Sequence, residues 1–149
     1  MKKILVVAAF AAAFAQAAAA SQFPTRVDIG GVSIGSPVED FLALLPEGDR
    51  PVVAPSEPFE IEVPMRLFGL HGHASVKGRS GRIERITIDL SGEPEVVAAA
   101  VATFDERLSV FHKEGPDSWR SWYAVDGTPV ANLHVYDDAL ILILDDFRD

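Results

Sequence analysis

The pattern of apolar and polar residues changes its period along the chain, and its clearest part is helical. Apolar side chains recur three and four positions apart at Val97, Val101, Phe104, Leu108 and Phe111. Such spacing forms one stripe along the side of a helix. Glu93 and Glu95 stand at the start of this segment, and Gly115-Pro116 follows it, as helix ends favour. We therefore predict a long helix over about 94–113.

Segments of period two stand on both sides of that helix and indicate an antiparallel sheet of about five to six strands. The segments lie near residues 60–68, 70–76, 82–90, 119–125, 130–136 and 139–145. Lys77–Gly81, Asp126-Gly127 and Asp137-Asp138 carry the residues of hairpin turns. Leu140 to Leu144 is apolar at every position, which is typical of a central strand covered on both sides or of a dimer surface.

A second, shorter helix is expected near the start of the domain, at about 37–45. Ser36 can cap it, Pro37 suits the first turn, and Glu39 completes a capping box. Four prolines within residues 46–58 favour an extended connection to the first strand of the sheet. The predicted fold class is α+β, with the long helix packed on one face of the antiparallel sheet.

The first twenty residues match a cleavable secretory signal. Met1-Lys2-Lys3 is followed by an uncharged apolar run, and Ala18-Ala19-Ala20 has the small residues that signal peptidase requires. The run is too short for a stable membrane span. We predict cleavage near Ala20–Ser21, a single soluble domain over residues 21–149, and a periplasmic or secreted location.

Charge and cysteine content narrow the classes of partner. The signal contains two of the thirteen Lys and Arg residues and none of the 22 Asp and Glu residues, so the domain has a net charge of 11 − 22 = −11. Nucleic acid and anionic lipid would repel such a chain. The absence of cysteine excludes disulfides, thiolate metal ligands and cysteine nucleophiles.

The sequence shows no arrangement of residues that supports catalysis. Gly78-Arg79-Ser80-Gly81 does not match the Gly-x-Ser-x-Gly turn of a serine nucleophile, and there is no glycine-rich phosphate loop. The acidic pairs fall in turns and at the chain end, where carboxylates are normally solvated. We therefore expect a protein that is not an enzyme and needs no cofactor.

His71-Gly72-His73 is the most metal-like feature. Residues two apart on a strand share a face, so both imidazoles could reach one ion, and His134 could supply a third ligand. The sequence does not require this, because a metal site needs three or four ligands and His-x-His also occurs by chance in exposed strands.

Two other groups suggest a surface for a protein partner. The first is the basic hairpin, which we define as Lys77, Arg79, Arg82 and Arg85. It could engage an acidic partner or a phosphate-bearing envelope component, or it could protect an exposed sheet edge. The second is Trp119-Arg120-Ser121-Trp122-Tyr123. Alternation places Trp119 and Tyr123 on one face of the strand and Arg120 and Trp122 on the other. One set therefore lies under the helix, and the other needs separate cover or a partner. We expect Arg120 and Trp122 to be the residues of this segment that bind a partner.

Residues 32–45, VSIGSPVEDFLALL, resemble a short run that opens a helix ahead of a small antiparallel sheet in some exported bacterial domains. Outer-membrane assembly lipoproteins of the BamE type and the β-lactamase-inhibitor-protein fold contain such a run. The likeness implies protein binding rather than catalysis. It covers these fourteen residues, and this chain lacks the lipoprotein cysteine, so we assign no family.

The favoured function is an exported protein-binding module, such as an inhibitor, an immunity-type protein or an accessory protein of envelope assembly. Its partner would be another envelope or secreted protein, and a homodimer is possible. The alternative is a periplasmic carrier that binds a metal through His71 and His73, or a small ligand between helix and sheet.

Overall fold

The computed structural model describes residues 2–5, 27 and 31–145 of the chain. The elements within these ranges are β1 (Lys2–Leu5), α1 (Val38–Leu42), β2 (Phe59–Leu67), β3 (Leu70–Arg79), β4 (Arg82–Ser91), α2 (Pro94–Arg107), β5 (His112–Glu114), β6 (Trp119–Tyr123), β7 (Pro129–Val135) and β8 (Ala139–Asp145). A 3-10 turn at Glu47–Asp49 follows α1.

One sheet contains every strand that the structure describes, in the order β1-β2-β3-β4-β8-β7-β6-β5. Strands β2 to β8 run antiparallel to their neighbours, and β1 pairs parallel to β2 at the edge. The chain first forms the β2-β3-β4 meander. It then crosses on α2 to the far edge and returns through β5, β6 and β7, so that β8 pairs with β4. The fold is an antiparallel sheet with few helices, which is α+β or mostly β.

The core lies between α2 and the face of the sheet that it covers, because strand alternation sends the large apolar side chains to that side. Phe104 of α2 is fully buried, as are Ile88 of β4 and Leu142 of β8. The helix contacts β8 and β3. The apolar stripe predicted for this helix is therefore confirmed as its buried side.

The helix is shorter than the sequence indicated. It ends at Arg107 rather than near residue 113, and His112–Glu114 forms β5 against β6. The turn begins at Leu108, whose N–H donates to the carbonyl oxygen of Phe104. Phe111 extended the apparent stripe because it is also buried, but it reaches the core from the turn. With β5 included, the described chain has seven antiparallel strands rather than five or six.

The short helix α1 stands beside the β3–β4 hairpin. Val38 donates to the carbonyl oxygen of Gly81, and Phe41 is fully buried. Helix α1 covers Val38–Leu42, less than the predicted 37–45. The expected cap is wrong, because the Ser36 hydroxyl accepts the N–H of Ser33 and does not cap the helix.

Two local features of β3 depend on particular backbone positions. Ser80 and Gly81, which join β3 to β4, both have positive φ, as a two-residue type I′ hairpin requires. Gly72 lies between the two histidines of β3, where a Cβ would collide with the carbonyl oxygen of Asp89 on β4. The close approach of these two strands therefore requires glycine at this position.

The predicted signal, residues 1–20, lies outside the described residues apart from β1. Val27 is the one described residue between β1 and Gly31, and it is buried. Among the described residues, no helix combines the length and the apolar character that crossing a membrane requires.

Candidate interaction face

The two faces of the sheet differ in cover. Helix α2 lies on one face, and no helix or strand within residues 31–145 packs on the other, which we call the open face. Two rows of cross-strand neighbours run along it, and every side chain in both rows is half-buried or exposed. The first row is Pro64, His73, Asp89, Ile141, His134 and Trp119; the second is Glu62, Ser75, Thr87, Ile143, Asn132, Ser121 and Glu114.

The central strand β8 shows the difference between the faces most directly. Leu140, Leu142 and Leu144 point into the core and are buried, whereas Ile141 and Ile143 lie half-buried on the open face. As predicted, β8 is a central strand, since it lies between β4 and β7. The expected cover on both sides is not observed within residues 31–145, because alternate side chains of β8 remain half-buried. Two branched aliphatic side chains therefore remain partly exposed at the centre of a polar face.

An aromatic pair flanks these isoleucines. Trp119 of β6 and His134 of β7 are direct cross-strand partners, and their rings stack with centroids 4.8 Å apart and planes 29° apart. The Trp119 side chain is 52% exposed. Beside the pair, the Ser121 hydroxyl donates to Asn132 Oδ1 over 2.6 Å. A large, rigid, partly exposed aromatic group beside satisfied polar groups is typical of a protein-binding surface.

The structure corrects the choice of binding residues on β6. Trp122 is 1% exposed and lies in the core, so it cannot contact a partner. Arg120 lies on the same side, with 12% of its side chain exposed, and its Nη1 is 2.5 Å from Asp105 Oδ2 on α2. Both residues were selected from the wrong side of the strand. Trp119, on the opposite side, is the exposed tryptophan.

The basic hairpin is paired within the protein. Lys77 Nζ lies 3.6 Å from Glu60 Oε1, and Arg79 Nε lies 2.9 Å from Glu84 Oε1. Arg85 Nη2 lies 2.5 Å from Asp145 Oδ2. Arg82 donates to the carbonyl oxygen of Gly35 over 2.8 Å.

The positions of these four side chains separate them into two groups. Lys77 and Arg85 are cross-strand neighbours on the open face, while Arg79 and Arg82 flank the two-residue turn. The hairpin is therefore exposed but largely charge-compensated.

The three histidines proposed as metal ligands do not meet. His71 and His73 share the open face of β3 as predicted, and His134 lies on the same face. Strands β4 and β8 separate His73 from His134, a distance of roughly 14 Å at the usual strand spacing. No group of three or more His, Asp or Glu residues within the described ranges could hold a metal ion.

The sequence pattern does not predict the Trp119–His134 pair, because the register of the β6–β7 hairpin shifts by one residue between Trp122 and Tyr123. Tyr123 pairs with Pro129 and Trp122 with Ala131, so counting back from the pair nearest the turn would not place Trp119 opposite His134. The pattern also does not show which side of β6 the helix covers.

Comparisons with protein-family models, with curated proteins and with solved structures returned no match. They therefore assign no family and add no support to the resemblance of residues 32–45.

Proposed function

We propose that this protein is an exported, non-catalytic protein-binding module of the bacterial envelope that engages its partner through the open face. The observation that supports this most is the half-exposed Trp119, stacked on His134 beside Ile141 on a face without described cover. Tryptophan is enriched among the residues that dominate binding energy, and exposed apolar groups rimmed by polar ones mark interaction sites.

Charge supports the choice of a protein partner. The net charge of −11 over residues 21–149 disfavours nucleic acid and anionic lipid, and it favours association with proteins that carry cationic surfaces. The basic hairpin does not offset this, because three of its four side chains form ion pairs within the protein. Inhibitors, immunity-type proteins and envelope-assembly accessory proteins all fit this description.

Quantitative affinity capture from envelope extract tests the proposal. We expect a partner that the unaltered protein captures and that Trp119→Ala loses by tenfold or more, since a tryptophan that dominates an interface contributes on the order of 2 kcal/mol or more to binding. Val125→Ala is the matched control, because Val125 is 80% exposed in the β6–β7 turn and should capture normally. Equal capture by both variants would contradict the open face as the binding surface.

A third variant separates the open face from the hairpin tip. Arg79→Glu with Arg82→Glu reverses two charges beside the turn and leaves the aromatic pair in place. Loss of capture in this variant but not in Trp119→Ala would move the binding surface to the tip. Sedimentation of the purified protein would show whether a second copy occupies the face instead.

The alternative of a metal carrier has a direct test. His71 and His73 share one face of β3, but two histidines do not complete a zinc site. We expect native mass spectrometry with zinc, copper and calcium to show no tight stoichiometric complex. Binding of one ion that His73→Ala abolishes would support the carrier and count against our proposal.

Export is tested independently of binding. The protein expressed in a Gram-negative host should have a mature N-terminus at Ser21, within about two residues, by intact mass. Retention of Met1 in a membrane fraction would contradict a cleaved signal.

A further inference from the structure

The outer edge of β2 is closed by a segment that the predicted processing would remove. β1 pairs parallel to the first half of β2, from Lys2 opposite Phe59 to Leu5 opposite Glu62. We propose that removal of residues 1–20 opens this edge, and that an extended segment of the protein partner then adds to β2 in the same parallel orientation. This inference rests on the proposed export and protein binding, and it specifies how the partner binds.

Pro64 limits how much of the edge can accept a strand. Proline has no N–H to donate, so within the β2–β3 ladder it occupies a position whose N–H would point away from β3. By alternation, the N–H groups of Glu60 and Glu62 also point to the outer edge. An added strand finds donors at these two residues and loses the next one at Pro64.

The side chains at this edge indicate the chemistry of the segment. Both contacts of the Glu60 carboxylate, with the Ser75 hydroxyl at 3.3 Å and with Lys77 at 3.6 Å, use Oε1, which leaves Oε2 without a partner among the described residues. A cation opposite Glu60 would be favoured there. In the unprocessed chain, Lys3 is the residue opposite Glu60, and Ile4 is opposite Ile61. The segment therefore combines a basic residue with a following aliphatic one.

This edge also adjoins the proposed binding surface. Glu60 and Glu62 belong to the open face, so a partner lying on that face reaches the edge of β2 without crossing another element. Backbone pairing at a sheet edge supplies affinity that does not depend on the partner's exact sequence, and the side chains at alternate positions supply specificity.

A peptide with the sequence of residues 2–7, blocked at both ends, probes the edge of the exported protein. NMR-detected amide exchange should show slower exchange at Glu60 and Glu62, about tenfold at a peptide concentration ten times its Kd. The amides of Ile61 and Val63 serve as internal controls, because they point to β3 and are already bonded. A peptide with the same residues in reverse order should give less protection.

Two matched variants establish that backbone pairing is responsible. Glu62→Pro removes one outward N–H within the proposed site, and we expect it to abolish the protection of Glu60. Arg66→Pro removes an outward N–H beyond Pro64 and should leave it unchanged. Native exchange rates in β4 and β8 confirm that each variant is folded.

Three results would overturn the inference. The first is an exported, processed protein whose Glu60 and Glu62 amides do not respond to the peptide; the capture experiment on Trp119 would still stand. The second is concentration-dependent protection of the edge without peptide, which would show that a second copy occupies it. The third is an intact mass that retains residues 1–20, which would contradict the proposed export as well.

Discussion

Trp119 and His134 face each other across β6 and β7 with their rings stacked, while Trp122, three positions from Trp119, is enclosed in the core. These are the two tryptophans of the chain, and they report on opposite faces of one sheet. Substitution of Trp122 removes a side chain from the core and tests stability. Substitution of Trp119 removes the same type of side chain from the open face and tests binding.

The tryptophan pair gives the first prediction. Trp122→Ala should lower the free energy of unfolding by about 3–5 kcal/mol, since it leaves a large cavity in the core. Trp119→Ala should cost about 0.5–1.5 kcal/mol, the range for an aromatic pair. Urea melts measure both values. Equal losses would mean that the open face is covered.

Phe104 and Glu106 test the position of α2. Phe104 is fully buried and Glu106 is exposed on the opposite side of the same turn. Phe104→Ala should cost about 3–5 kcal/mol through loss of packing and a residual cavity. Glu106→Ala should change stability by less than about 0.5 kcal/mol. A tolerated Phe104→Ala in denaturant melts would contradict the packing of the helix on the sheet.

Two ion pairs of equal length differ in the burial of their arginines. The Arg120 side chain, paired with Asp105 on α2, is 12% exposed, whereas the Arg85 side chain, paired with Asp145 on the open face, is 51% exposed; the two aspartates are 29% and 16% exposed. Double-mutant cycles to alanine should give a coupling of about 1.5–3 kcal/mol for the first pair. Solvent screening should keep the coupling of the Arg85–Asp145 pair below about 1 kcal/mol. The reverse order would show that the helix does not shield Arg120.

Gly72 tests the close approach of β3 and β4. Gly72→Ala places a methyl group against the carbonyl oxygen of Asp89 and should cost about 1–3 kcal/mol through strain. Gly48→Ala is the control, because a Cβ there meets open space, and it should be neutral or stabilising by up to about 1 kcal/mol. Thermal melts of the two variants distinguish local strain from a general cost of replacing glycine.

The sequence predicted the strands well because each has a local signal. Six antiparallel strands start within one residue of their expected positions, since alternation and turn residues define them together. Strand β5 has three residues, which are too few for an alternation of apolar and polar side chains to be recognised. The predicted helix therefore extends over the first two of them. The short strand forms because it completes the ladder with β6, which is a tertiary effect.

The candidate site was predicted less well, because exposure is not a local property. Alternation placed Trp119 and Trp122 on opposite faces of β6, as observed. Choosing the exposed one required knowing which face α2 covers, and this depends on the long crossover from β4 to β5. Similarly, His71, His73 and His134 share a face, but β4 and β8 lie between their strands. This strand order depends on the whole chain and cannot be predicted from the pattern of any single segment.

Site-specific photo-crosslinking tests the open face as the binding surface most directly. A photoreactive phenylalanine analogue is placed at Thr87 or Ile143, which are cross-strand neighbours at the centre of that face, and at Val52, which is 93% exposed in the connection before β2. In envelope extract, we expect one adduct of the same mass from both central positions and none from Val52. Adducts of equal yield from Val52, or none from the central positions, would contradict the open face as the surface that binds a partner.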